Sequence, residues 1–508
     1  MVISFECYEG LSVPQSLLQQ CSALFGTHYG TWGTGGAKPG HPVRQSPESI
    51  KELLASSSAR LAVAKKGGQI IAYAAAVQPT VPDNGKISWV TQLVVHSDHR
   101  NQRVATRLLY AFWQFSDHFA WGLVTANPFA IRALEKATRR RANPSQISSN
   151  IEVLLQAGRE VPYIKSDIEV KCDDGSSLIN TNFFVDHQNV PMLVQQASSD
   201  ESWLLGELPD GWEWFAFTFS DQAQLPLAPV ELQEMLKVSD EQTAVAYARM
   251  TQDNNHLWRS FSDYEAEFIW KNCNLYVDSR VLDLGCGDGR HIFSLARKGA
   301  SAVGIDYVES RIESAKQAAV EHQVSADFKL GDARTESFDE KFDCVLCLYD
   351  VVGSHANNVH NIQIVQNSAK HVAPGGFVLI SVMNFELTEH IAKHSFSVTQ
   401  QPDRLLSLRP GNYMESSGNV FHPDYFMIDP EEQLVYRKEQ FVLGGTLPVE
   451  MLVRDRRFRA KELEDICKDS GLEILWSRFV KLGNWEASLD ARDEKAKEIL
   501  VLCQKPLD

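Results

Sequence analysis

The chain has 508 residues, enough for two or three domains with complete cores. Acids outnumber bases 65 to 49, a net charge of −16, which argues against general coating of nucleic acid but leaves a local basic groove open. Nine cysteines, an odd number without metal-ligand spacing to histidine, predict reduced thiols, no metal site and a cytoplasmic setting. The opening MVISFECYEG lacks a basic stretch followed by an apolar core, so no signal peptide is expected, and no apolar run is long enough to span a bilayer.

Val2 to Phe5 reads as a strand and Pro14 to Leu24 as a helix. A loop rich in Gly and Pro follows from Gly26 to Pro42, with Tyr29 and Trp32 embedded either as a substrate wall or as a packed cover. Ser46-Pro47 opens a helix, Ser46 capping and Pro47 in the first turn. Arg60 to Ala64 and Gln69 to Val77 form a hairpin around Lys66-Gly67-Gly68, and Ile87 to Val95 is another strand. Where that strand ends at Val95, a polar loop carries Arg100 and Arg103 into an amphipathic helix beginning Val104-Ala105. Helix-start amides with Arg100, Arg103 and Arg107 suit a pyrophosphate; a solvated helix face is the alternative.

This loop resembles the acetyl-coenzyme A loop of the GNAT acyltransferase superfamily, R-x-x-G-x-G/A. Arg100 and Ala105 match, while Arg103 replaces the middle glycine, a departure that a bulky residue accommodates if its φ is negative. Ala126 to Lys136 resembles the superfamily's next strand-to-helix segment, with Asn127 near the pantetheine arm. Leu134 stands where many members carry a tyrosine acid. The resemblance implies a GNAT-like α+β domain over residues 1–145, binding acetyl-CoA through Val95, Arg100, Arg103, Val104, Ala105 and Asn127. Arg139-Arg140-Arg141 reads as an ordinary basic helix end.

Residues 146–250 read as a β-rich extension and linker, either extending the first sheet or packing between two units. Thr181 to Val185 and Trp212 to Phe219 are expected strands, and Trp203, Trp212, Trp214, Phe215 and Phe217 are expected core. Asp186-His187 is too short a pair to predict a metal. Leu225 to Pro229 marks a linker before a helix through Met235.

Asp263 to Trp270 reads as a helix before the next strand. Val281, Leu282 and Leu284 then form a buried strand. Gly285, Gly287 and Gly289 follow at alternate positions, then a helix, then Ala302 to Ile305 as a second strand ending in Asp306. A dinucleotide loop wants G-x-G-x-x-G; here the spacing is G-x-G-x-G, with Asp283 two residues ahead. That acid repels a pyrophosphate and suits a cationic, amine-bearing ligand, while Asp306 is placed to accept ribose hydroxyls. Cys344 and Cys347 lie three apart in a strand, on opposite faces, which argues against a redox pair.

Asp283 to Gly289 resembles the loop of the class I S-adenosylmethionine-dependent methyltransferases. The likeness continues through Gly331-Asp332-Ala333, where the family places an acid near adenine, Phe342 to Asp350 as the fourth strand, and Pro374-Gly375-Gly376 before the fifth. It implies a Rossmann-like α/β domain over residues 251–508 and S-adenosyl-L-methionine held by Asp283, Gly285, Gly287, Gly289, Asp306 and Asp332. Candidates for a base at the fourth strand's end are Tyr349, Asp350 and His355, with His355 preferred because an imidazole titrates near neutrality. The Asn/Asp-Pro-Pro-Tyr/Phe string of DNA amino methyltransferases is missing there, which weakens a restriction-type role. Met383 to Arg459 reads as an aromatic-rich lid insertion or a dimerisation hairpin, with Arg454, Arg456, Arg457 and Arg459 either drawing an anionic substrate or solvated.

The sequence therefore predicts a two-headed transferase: methyl transfer to N or O of a small molecule, with an acetyl-CoA-dependent N-acetyltransferase-like domain ahead of it. The alternative makes the GNAT-like domain a non-catalytic recognition module for RNA or a carrier-bound partner. Both acceptors and the oligomeric state are left open.

Overall fold

The computed structural model describes residues 3–113, 118–198, 202–226, 257–392, 397–399, 404–408, 410–411, 419–441 and 449–507, with six positions between 230 and 243. The chain divides into two compact units, Met1–Ala228 with Val442–Glu450, and Pro229–Phe441 with Met451–Asp508.

The first unit is built on a nine-stranded sheet of β1 (Ile3–Glu9), β2 (Ala59–Lys66), β3 (Gln69–Val77), β4 (Thr80–Val81), β5 (Gly85–Val95), β6 (Ala120–Thr125), β7 (Val170–Asp173), β8 (Ser176–Ile179) and β9 (Glu213–Phe219). The order is β1-β2-β3-β5-β6-β9-β8-β7, with β4 on β5. β5 and β6 pair in parallel, with the helix Val104–Trp113 in the crossover between them. Pairing stops at Val90 with Leu123, although β5 runs on to Val95 and β6 to Thr125. On the other edge of β5 the register to β3 slips between Ala75–Gln92 and Ala76–Val90, a bulge that turns the end of β5 away.

The middle segment supplies β7, β8 and β9, which continue this sheet through β9 on β6. Trp214, Phe215 and Phe217 are buried there, as an aromatic core requires. Thr181 to Val185 is not a strand: Asn182 turns left-handed (φ 53°), and the segment makes only an isolated bridge, Val185 to Trp32. The expected helix through Met235 falls largely outside the described residues.

The second unit carries β10 (Arg280–Leu284), β11 (Ser301–Asp306), β12 (Asp327–Leu330), β13 (Phe342–Cys347), β14 (Val372–Met383), β19 (Glu473–Lys481), β20 (Asn484–Leu489) and β21 (Glu498–Gln504), in the order β12-β11-β10-β13-β14-β21-β19-β20. Strands β12 through β14 are parallel, and β21 inserts antiparallel between β14 and β19. Cys344 and Cys347 of β13 belong to separate apolar clusters, as opposite faces demand. The strand order reverses at β10, so the loops after β10 and β13 share the end where open α/β sheets bind ligands.

Within the insertion, β15 (Pro410–Gly411), β16 (Phe426–Asp429), β17 (Leu434–Phe441) and β18 (Val449–Arg456) form a second small sheet. Tyr413 and the Gly444-Gly445 turn lie outside the described residues. Among the described residues, no helix is long and apolar enough to cross a membrane.

Candidate active site

The loop after β10 owes its path to its glycines. Gly285, Gly287 and Gly289 all have positive φ (87°, 57° and 83°), where a side chain is strained. A Cβ on Gly285 would meet Val351 Cγ2 at 2.3 Å, and one on Gly289 would meet Phe328 Cε1 at 2.5 Å. The loop is latched to the end of β11. The amides of Gly285 and Cys286 both reach the Ile305 carbonyl at 2.8 Å, and the Gly287 amide donates to Asp306 Oδ2 at 2.9 Å. Asp306 Oδ1 accepts from the Val308 amide at 2.9 Å. The carboxylate assigned to a ribose is thus also a clamp on the loop.

Asp283 is buried beneath this loop, and burial pushes its carboxyl up to about 7 against the opposing Arg290 charge. Beside it lies a polar cluster that the sequence reading missed. Glu265, fully buried on the helix Ser262–Asn272, accepts from Arg290 at 2.7 Å, contacts His291 Nε2 at 2.8 Å and accepts from the Tyr349 hydroxyl. Arg290 also lies over the Tyr349 ring, 4.2 Å from its centroid. Burial, reinforced by Arg290, drops His291 to about 4, so it is a neutral hydrogen-bonding strut. The only sequence signal was position: Arg290-His291 directly follow the last loop glycine.

The three expected bases separate. Tyr349 is committed to Glu265, and burial holds its hydroxyl well above the ordinary range. His355 packs edge-on against His360 (5.3 Å) and its charge acts on Asp332; its backbone is held by the Asn361 side chain. Asp350 is different. It is 4% exposed, and neither carboxylate oxygen reaches hydrogen-bond geometry with a partner among the described residues. Burial first, then the Asp455 charge, raise its carboxyl well above the usual range, against Arg457, Arg437 and the nearby Met383 amide. Both Tyr349 and Asp350 have positive φ (59° and 67°), so the chain turns sharply as it leaves β13. Val351, next in the chain, is the residue that abuts Gly285.

Asp332 is bound by Arg334, whose Nε and Nη2 reach its carboxylate at 3.0 and 2.6 Å. Arg259 pairs with Asp288 of the glycine loop, and the Tyr264 hydroxyl accepts from the Trp485 amide. Of the two readings of the insertion's arginines, the solvated one does not hold for Arg454, Arg456 and Arg457, which are all buried. Arg457, 0% exposed, reaches Asp455 Oδ2 and Thr388 Oγ1 at 2.8 Å and the Val420 carbonyl at 2.9 Å. Arg459 pairs with Glu389. Among the described residues, no group of three or more His, Cys, Asp or Glu is arranged to hold a metal.

In the first unit, Val95 closes β5 and Val104 and Ala105 open the helix Val104–Trp113, Val104 buried and Ala105 half-buried. Arg103 takes φ 58°, so the position keeps the glycine conformation despite its side chain; the negative φ required of a bulky residue there is not what the chain adopts. Arg100 is turned away from a phosphate role: Nε donates to the Val95 carbonyl at 3.2 Å and Nη2 to the His28 carbonyl. Arg107 lies over the Phe5 ring at 4.7 Å. Asn127 caps the helix Pro128–Thr138, accepting from the Phe129 amide at 3.0 Å. Leu134 is 0% exposed and apolar, so that helix offers no acid at this position.

The strand order, the latched glycine loop and the parted β5–β6 pair define a class I methyltransferase fold behind a GNAT fold. Comparison with known families agrees: residues 281–376 match the family model described as a methyltransferase domain, and residues 32–137 match the acetyltransferase (GNAT) family. The chain carries one domain of each kind.

Among curated relatives, the ubiquinone biosynthesis O-methyltransferase of Rickettsia conorii is 31% identical over 158 residues, covering 31% of this chain and 53% of the relative. The same enzyme of Rickettsia akari is 32% identical over 123 residues, covering 24% and 47%. The chain spans about half the length of these relatives. Among solved structures, an S-adenosylmethionine-dependent methyltransferase from Clostridium acetobutylicum has a TM-score of 0.38 at 16% identity, covering 52% of this chain and 98% of that one. The CcbJ methyltransferase from Streptomyces caelestis has a TM-score of 0.37 at 17% identity, covering 48% and 89%.

Proposed function

We propose that the second unit transfers a methyl group from S-adenosyl-L-methionine to an N or O atom of a small molecule, with Asp350 as the base. The observation that carries this reading is the Asp350 carboxylate, buried in the turn that follows β13 with no side chain hydrogen-bonded to it among the described residues. A carboxylate buried with so few hydrogen bonds is costly, and such groups gather where chemistry needs a proton acceptor. The cradle fits the cofactor: bare backbone at Gly285, Gly287 and Gly289, with Asp283 and Asp306 to bracket an amine-bearing nucleoside and Asp332 for adenine. When bound there, the cofactor supplies a methyl group already activated on sulfonium, so the chain's own work is orientation and proton removal. Burial raises the Asp350 carboxyl above the usual range, and in its ionised form it accepts the proton that the acceptor's N–H or O–H gives up. The curated relatives' names support an O-linked acceptor for them.

For the first unit we propose acetyl-CoA-dependent N-acetylation in the cytoplasm. The parted strands β5 and β6 and the left-handed loop at Asn101 and Arg103 support a coenzyme A arm. A second reading makes this domain a recognition module for RNA or a carrier-bound partner; the buried Leu134 and the tethered Arg100 favour it. The test incubates the full chain with a small-molecule extract and labelled methyl or acetyl donor. Label in a low-molecular-weight product is expected from each. Methyl label in no product rejects the first proposal, and acetyl label in no product favours recognition.

A further inference from the structure

Glu213 opens β9, outside the segment that matches the GNAT family. It is 6% exposed, and among the described residues its carboxylate accepts from Thr181 Oγ1 at 2.8 Å and is paired with no cation. A buried carboxylate without a counter-ion is a liability in a core that could hold a glutamine instead. Glu213 sits near the end of β6, just beyond the Thr125–Trp214 pair, where β5 and β6 have parted. Half-buried aromatic rings stand near it. The Phe183 ring, two residues from Thr181, lies 6.1 Å from the ring of Tyr29 and 5.3 Å, edge to face, from that of Trp32. The Tyr29 and Tyr163 hydroxyls feel the Glu213 charge, and burial with that charge raises both. The loop Gly26 to Pro42 and the middle segment therefore meet at this acid.

We propose that Glu213 anchors the ammonium group of an organic amine, with Tyr29, Trp32 and Phe183 as the walls that receive its apolar body. Aromatic faces and a desolvated carboxylate both favour a cation and give an uncharged isostere nothing in return. The proposal deepens the acetyl-transfer reading and rests on it for what becomes of the amine, not for its binding. Burial pushes Glu213 up to about 7, so the anion that binds the amine is populated above neutral pH. The groups facing it, Tyr29, Tyr163 and Thr181, bring no competing positive charge.

The experiment titrates the full chain at pH 8 with 2-phenylethylamine and with its neutral counterpart 2-phenylethanol, followed by calorimetry and tryptophan fluorescence. The amine is expected to bind at least tenfold tighter than the alcohol, and to weaken at least tenfold at pH 5.5 and in Glu213→Gln. Thr181→Val, which keeps the acid, is expected to weaken binding less, and serves if Glu213→Gln does not fold. Equal binding of amine and alcohol, no amine binding, or no pH dependence overturns the proposal. Coenzyme A is titrated separately: amine binding without coenzyme A binding rejects only acetyl transfer, and the reverse rejects only this site.

Discussion

Asp306, the last residue of β11, accepts the amide hydrogen of Gly287 at 2.9 Å, so the acid offered to the ligand also fixes the loop that would floor it. Loop and acid are one unit, and a change to either reaches both.

Asp350→Asn is the direct test of the base. Asparagine tolerates the left-handed backbone at φ 67° and keeps the side chain's shape. The turnover number for methyl transfer is expected to fall by roughly 10²-fold or more, while S-adenosylhomocysteine affinity stays unchanged. Steady-state kinetics beside calorimetry separates the two. Equal loss of both parameters would assign Asp350 to folding instead.

Gly353 tests the same carboxylate from its neighbour. A Cβ there would stand 2.3 Å from Asp350 Oδ1, on a backbone at φ 134°. Gly353→Ala is therefore expected to displace Asp350 and lower turnover at least tenfold. Near wild-type turnover would show that the acid's position does not matter.

Glu498 makes a prediction about pH and stability. Its carboxyl is pushed from 4.5 to about 8, chiefly by burial and then by the Glu265 charge. Between those values the unfolded chain has released this proton and the folded chain has kept it. The folded state then binds more protons, and this group's contribution to stability falls as pH rises from about 4.5 to about 8. Glu498→Gln removes that slope. Its melting temperature relative to wild type is expected to improve by several degrees between pH 5 and pH 8; parallel curves would contradict the assignment.

Arg457 holds the insertion together from within. Replacing it by Met leaves Asp455 half-paired and the Val420 carbonyl without that donor, at a cost of about 3 kcal/mol by denaturant unfolding. A change within experimental error would mean the network relaxes around the loss.

Local signals in the chain were legible. The glycine spacing, the acids before and after it, and the strand-ending Val95 are written in consecutive residues, because turns and strand ends depend on near neighbours. Partnership was not. Arg454, Arg456 and Arg457 look like a charge run, yet inside the fold Asp455 pairs with Arg457, Glu462 pairs with Arg456, and the Val238 and Ser354 carbonyls accept from Arg454. His355 looked the best base on intrinsic titration alone, whereas Asp350 owes its prominence to burial that only tertiary packing creates. The joining of β9 to β6 depends on pairing across a long stretch of chain, which periodicity does not encode. Thr181 to Val185 alternated like a strand, but one left-handed residue, Asn182, ended it.

The most direct measurement is calorimetric titration of the full chain with S-adenosylhomocysteine, wild type against Asp306→Ala. Wild type is expected to bind at micromolar concentration and the variant at least tenfold more weakly, since it loses both the ligand contact and the clamp on Gly287. No binding by wild type, or equal binding by both proteins, would contradict the account.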